Sequence, residues 1–100
     1  MTGKLFAITT IAGFALAMAA AAQAQDAAKA QALAKSAGCT ACHDVSSKKV
    51  GPSFKESAAK FGKQGDKVFA AVKADPNHKD MLKGVPDGDL RTITDWIATL

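Results

Sequence analysis

Two cysteines and a histidine stand together at Cys39-Thr40-Ala41-Cys42-His43. The spacing Cys-x-x-Cys-His is the sequence form of a covalent c-type haem attachment site. Two thiols add across the two vinyl groups of one porphyrin and become thioethers. One turn of helix brings residues three apart to the same side, so Cys39 and Cys42 can both face the ring. His43 follows directly and can offer an imidazole nitrogen to the iron, for which a proximal histidine is a usual ligand. Three plainer readings compete. A thioredoxin-like dithiol needs a βαβ setting, and no strand pattern is present. A structural zinc site needs four ligands, and outside the motif the chain offers only His78. A Cys39–Cys42 disulfide would close a very small loop.

With 100 residues, the chain is one domain at most. Its start reads as a secretory signal spanning 1–24. Lys4 gives a positive n-region, Leu5 to Ala22 is almost wholly apolar, and Ala22-Gln23-Ala24 presents small residues where a signal peptidase reads. An uncleaved membrane anchor is the competing reading, since the run is nearly long enough to span. The Ala-rich end and the cleavage site favour removal after Ala24, so no stable membrane insertion is expected. Cleavage takes away one charged residue, Lys4, and leaves 25–100 as a 76-residue domain of net charge +3. A polypeptide this small buries a limited core unaided. A covalent haem c would supply an apolar disc to wrap, and export matches the place where c-type haem is attached. The lysines are dispersed, Tyr is absent and Trp occurs once, which argues against a nucleic-acid partner.

The rest reads as short helices. Gln25 to Ala37 is rich in helix formers, with Asp26 as N-cap, a small-residue face of Ala30, Leu33, Ala34 and Ala37, and Gly38 as stop. Asp44 to Pro52 is loop, punctuated by Gly51-Pro52. Ser53 and Glu56 form a capping box for a helix reaching about Phe61, with Phe54 and Ala58 on its apolar side. Asp66 is expected to cap a third helix, Lys67 to Ala74, and Pro76 to end it. His78 to Pro86 reads as irregular. Asp87 is expected to cap the last helix, where Leu90, Ile93, Trp96, Ile97 and Leu100 recur at steps of three and four. That stripe is core and should meet the Ala/Leu face of the first helix.

Iron held by His43 has one more axial position, and its occupant sets the function. Two strong ligands make an electron carrier, whereas an open side makes a sensor or peroxidase-like enzyme. Met81 is the sole methionine left after signal removal, and His78 the sole histidine outside the motif. A thioether raises the reduction potential relative to a second imidazole. His78, in the polar run Asn77-His78-Lys79-Asp80, reads as solvated, but a bis-His iron and an open iron both stay open at this point.

Gly38-Cys39-Thr40-Ala41-Cys42-His43, Val50-Gly51-Pro52-Ser53-Phe54-Lys55 and the ending Asp89-Leu90 to Trp96-Ile97 with Leu100 together resemble a small class I bacterial cytochrome c of the c551 or c8 kind. The likeness covers nearly all of 25–100. It implies an all-α fold of about four short helices around one covalent haem, with the N- and C-terminal helices crossed. It implies that the Pro52 carbonyl accepts a hydrogen bond from His43, which fixes the ring and raises its basicity, and that Met81 is the distal ligand. One segment departs from the family, which usually carries a longer Gly- and Trp-containing stretch and then Met-Pro. Here Asp80-Met81-Leu82 follows a short polar run, and the family's loop Trp has no counterpart.

The expected protein is a periplasmic, monomeric, monohaem electron carrier and not an enzyme. Phe54, Phe61, Phe69, Leu82, Val85, Ile93 and Trp96 are expected to exclude water from the haem. Lys48, Lys49, Lys55, Lys79 and Lys83 are expected to rim an exposed haem edge that meets an acidic redox partner briefly. A ligand-binding or catalytic haem protein and a haem-free zinc or dithiol module are the competing classes.

Overall fold

Alanine at 30 and 34 lets a first helix lie close against its neighbour, and the fold starts from that contact. The computed structural model describes residues 26–100; the segment read as a signal, 1–24, lies outside the described residues. Helix α1 is seen over 26–37. Asp26 is itself helical, so it is not the cap expected of it. A 3-10 turn, Cys39–Ala41, follows, then α2 (Phe54–Lys60), α3 (Gly65–Ala74), a second 3-10 turn (Pro76–His78), α4 (Lys79–Leu82) and α5 (Asp87–Ile97). The described residues are all-helical, with no strand.

Ala30 and Ala34 of α1, Phe54 of α2, Val68 of α3 and Ile93, Trp96 and Ile97 of α5 form one buried cluster, with Leu33, Ala37 and Leu100 packed against it. The stripe of the last helix and the small-residue face of the first therefore share one buried cluster. Leu90 and Ile93 are almost fully enclosed, and each contributes about 1.5–3 kcal/mol by leaving water. Ser53 caps α2 by accepting from the Glu56 N–H at 3.1 Å.

Two expected caps lie elsewhere. Gln64 precedes α3 and Pro86 precedes α5. The carboxylates of Asp66 and Asp87 instead pair with Arg91 and with Lys73 across the α3/α5 seam. Phe69 lies in the same seam, with the Arg91 guanidinium 4.5 Å and the Lys73 ammonium 5.4 Å from its ring centre. These exposed pairs fix register and are each worth only about 0–1 kcal/mol.

The stretch read as irregular is helical at its start. Pro76 occupies the first position of its turn, where a missing N–H costs nothing. The Asp75 carboxylate accepts from the Asn77 N–H at 2.9 Å. Asp75-Pro76-Asn77 thus ends one helix and opens the next, and α4 carries His78 and Met81 as its N-cap and third residue.

Candidate haem-binding site

Gly38 ends α1 with φ of 90°, a left-handed conformation that a Cβ disfavours. The chain then winds tightly: the Cys42 and His43 N–H groups both donate to the Cys39 carbonyl, at 3.3 and 3.1 Å. Both thiols are free, Cys39 half-buried and Cys42 exposed. Burial pushes the Cys39 thiol above its ordinary range, partly opposed by a backbone hydrogen bond. A dithiol oxidoreductase needs the reverse, a thiolate favoured by its surroundings. Nor does any group of three His, Cys, Asp or Glu converge for a metal ion among the described residues.

His43 is held from several sides. Its Nδ1 donates to the Pro52 carbonyl at 2.6 Å. A carbonyl only accepts, so the hydrogen sits on Nδ1 and the Nε2 lone pair is left for a metal. The loop returns Pro52 to this place because the Gly51 N–H donates to the Cys42 carbonyl at 2.8 Å and the Phe54 N–H to the Asp44 carbonyl at 2.9 Å. The Asp44 carboxylate ties the bend further by accepting from the Ser46 and Ser47 N–H groups. Those donors, Ser47 first, hold its carboxyl below the usual carboxylate range. Lys49 Nζ donates to the Thr40 carbonyl at 3.0 Å, joining the far side of the loop to the Cys-x-x-Cys turn. The His43 ring stacks on Phe54 with centres 5.6 Å apart, and Phe54 meets Trp96 edge-on at 5.6 Å.

Gly51 has no room for a side chain. A Cβ there would stand 2.3 Å from His43 Cε1, and the ring, bonded to Pro52 and stacked on Phe54, cannot yield freely. Gly51→Ala is expected to destabilise the holoprotein by about 1–3 kcal/mol and to alter its electronic spectrum, read by urea unfolding and absorption. Gly84→Ala, where a Cβ meets nothing within 4 Å, is the matched control. Equal behaviour of the two variants would refute a tight seat for His43.

Met81 is half-buried on α4. Its Sδ lies 3.9 Å from where a Cβ on Gly38 would be, so the thioether packs over the residue preceding Cys39. His78 differs from the solvated residue expected. It is half-buried, its Nδ1 donates to the Val72 carbonyl at 2.9 Å, and its ring centre is 6.1 Å from that of His43. Its position three before Met81 is the sequence signal of a shared face. Phe69 stands apart, in the α3/α5 seam between two cations. Two free thiols on one turn, an oriented imidazole and an aromatic wall are a donor set that fits covalent haem.

The cytochrome c family model matches residues 27–100. The chain belongs to the cytochrome c family. It is 34% identical over 82 residues to cytochrome c-551 of Pseudomonas denitrificans, covering 68% of this chain and 93% of that one. Against cytochrome c-551 of Azotobacter vinelandii the identity is 36% over 75 residues, covering 67% and 92%. Against cytochrome c-552 of Nitrosomonas europaea it is 36% over 77 residues, covering 68% and 75%. No solved structure gives a significant match. The cofactor of this cytochrome c is one covalent haem c, and the described residues, all-helical, have the class I architecture. Cytochrome c electron carriers act with redox partners.

Proposed function

We propose that this cytochrome is a periplasmic shuttle that carries single electrons and transforms no substrate. Cys39 and Cys42 would hold the haem through thioethers, and His43 and Met81 would supply the donors to its iron. The observation that carries this reading is the His43–Pro52 hydrogen bond, which leaves Nε2 unencumbered immediately after the Cys-x-x-Cys turn. When bound, haem c supplies one iron that gains and loses an electron. Pro52 keeps the His43 ring in one tautomer and one orientation, so the ligand need not rearrange between oxidation states. Phe54 and Trp96 keep water from the histidine side, and Met81 offers a soft, uncharged donor that favours the reduced state.

The oxidised protein is expected to show the weak thioether-to-iron band at the red edge of the visible spectrum, and Met81→Ala to abolish it. A wild type without that band would remove Met81 from the iron.

The reading extends to place and partner. Cleavage after Ala24 releases 25–100 to the periplasm as a monomer. Among the described residues no helix is long and apolar enough to cross a membrane. Lys48, Lys49, Lys55, Lys79 and Lys83 are exposed, as is Val50 at 83%. Such a rim suits brief contact with an acidic partner. Reversing Lys48 and Lys49 to Glu is expected to slow electron transfer to an acidic partner severalfold at low salt and to flatten its salt dependence. An unchanged salt slope would sink the docking assignment.

A further inference from the structure

We propose that His78 is a reserve distal ligand: when Met81 leaves the iron, His78 Nε2 takes its place, and the protein passes to a bis-imidazole state. The inference rests on the Met81 assignment above and adds a second donor to the same site.

Three observations carry it. His78 and Met81 share one short turn, His78 as the N-cap of α4 and Met81 as its third residue, so both are presented from one side. The His78 ring is oriented as His43 is: Nδ1 donates to the Val72 carbonyl at 2.9 Å, which places the hydrogen on Nδ1 and the lone pair on Nε2. Among the described residues, no hydrogen bond uses that Nε2. The rings of His43 and His78 are 6.1 Å apart, centre to centre, with planes at 60°. With metal–nitrogen bonds of about 2.0 Å, two imidazoles on opposite sides of one metal have centres roughly 6 Å apart. The fold thus holds the two rings near that span while the Met81 thioether rests against Gly38.

The exchange balances simply. One iron–sulfur bond breaks and one iron–nitrogen bond forms. No electron moves, and no proton moves, because Nδ1 keeps its hydrogen and Nε2 already bears the lone pair. Replacing thioether by imidazole disfavours the reduced iron, so the exchange lowers the potential. Departure of the Met81 thioether from the iron then leaves a low-spin carrier of lower potential in place of an open haem that binds small ligands.

The test uses exported holoprotein and three variants, Met81→Ala, His78→Ala and the double variant, read by absorption and electron paramagnetic resonance of the oxidised state. Met81→Ala is expected to lose the thioether band yet stay low-spin, and to bind no carbon monoxide rapidly when reduced. The double variant is expected to turn high-spin and bind it at once. A high-spin Met81→Ala protein overturns the inference while leaving Met81 as ligand. So does a double variant that stays low-spin, since Lys79 or Lys83 would then be the donor. A wild type that lacks the band and becomes high-spin on His78→Ala alone makes His78 the resident ligand, and the Met81 assignment falls as well. Should Met81→Ala yield no holoprotein, wild type and His78→Ala are compared in rising urea. The inference requires the wild type to stay low-spin after its thioether band is lost, and His78→Ala to become high-spin at that point. Coincident transitions overturn it.

Discussion

Replacing Cys39 and Cys42 together by serine will leave a polypeptide with no covalent haem and little fixed structure. Both thiols are free and lie on one tight turn, and no other cysteine in the chain can substitute for them. The protein part of the core is thin. Of the ten buried apolar residues among the described ones, four are alanines: Ala30, Ala34, Ala58 and Ala98. Alanine lets helices approach but removes little apolar surface from water, so a domain of this size depends on its cofactor. Wild type is expected to retain haem stain in a denaturing gel and to weigh one haem more than residues 25–100. Each single variant keeps one thioether and should still stain. The double variant should not stain, and the far-ultraviolet helix signal should fall to a small fraction. Haem that survives denaturation in the double variant would place the attachment elsewhere. An intact mass that includes 1–24 would refute the cleavage site and leave the attachment untouched.

What could be read in advance was local. Ser53 and Glu56 lie three apart, and the Ser53 side chain caps α2 by accepting from the Glu56 backbone N–H, the half of the expected capping box that forms. The α5 stripe is long enough for its period to show, and Ala30 and Ala34 mark its partner. Several misread features depend on residues distant in sequence. Asp66 and Asp87 look like caps because each precedes an apolar helical run. Their carboxylates answer instead to Arg91 and Lys73, which lie 25 and 14 positions away. Phe69 is expected to help exclude water from the haem, yet it lies in the α3/α5 seam under two cations. Helix α4 has four residues, too few for any period to register. Within the site, the Cys-x-x-Cys-His motif is legible because its chemistry is contiguous. The approach of His78 to His43 is not, because a loop and two helices intervene before α4 turns the ring inward.

Trp96→Ala will cost about 3–5 kcal/mol, the range for removing a large aromatic from a core. The effect will reach beyond α5. Trp96 is 8% exposed and belongs to the cluster that joins α1, α2, α3 and α5. Its ring meets Phe54 edge-on at 5.6 Å, an arrangement worth roughly 0.5–1.5 kcal/mol beyond the buried area. Phe54 in turn stacks on His43 at 5.6 Å. Removing the indole therefore opens a cavity behind the ring that backs the proximal ligand. Domains of this class have only about 5–15 kcal/mol in hand, so the variant should unfold at much lower urea, followed by helix circular dichroism because the sole tryptophan is gone. Trp96→Phe keeps an aromatic edge toward Phe54 and should lose less than half as much. The decisive comparison is between stability and ligation. If Phe54 transmits the packing, Trp96→Ala will also shift the Soret maximum under conditions where the protein is fully folded, and Trp96→Phe will not. A Trp96→Ala protein that is merely less stable, with an unchanged Soret band, would show that His43 is held by Pro52 and Gly51 alone.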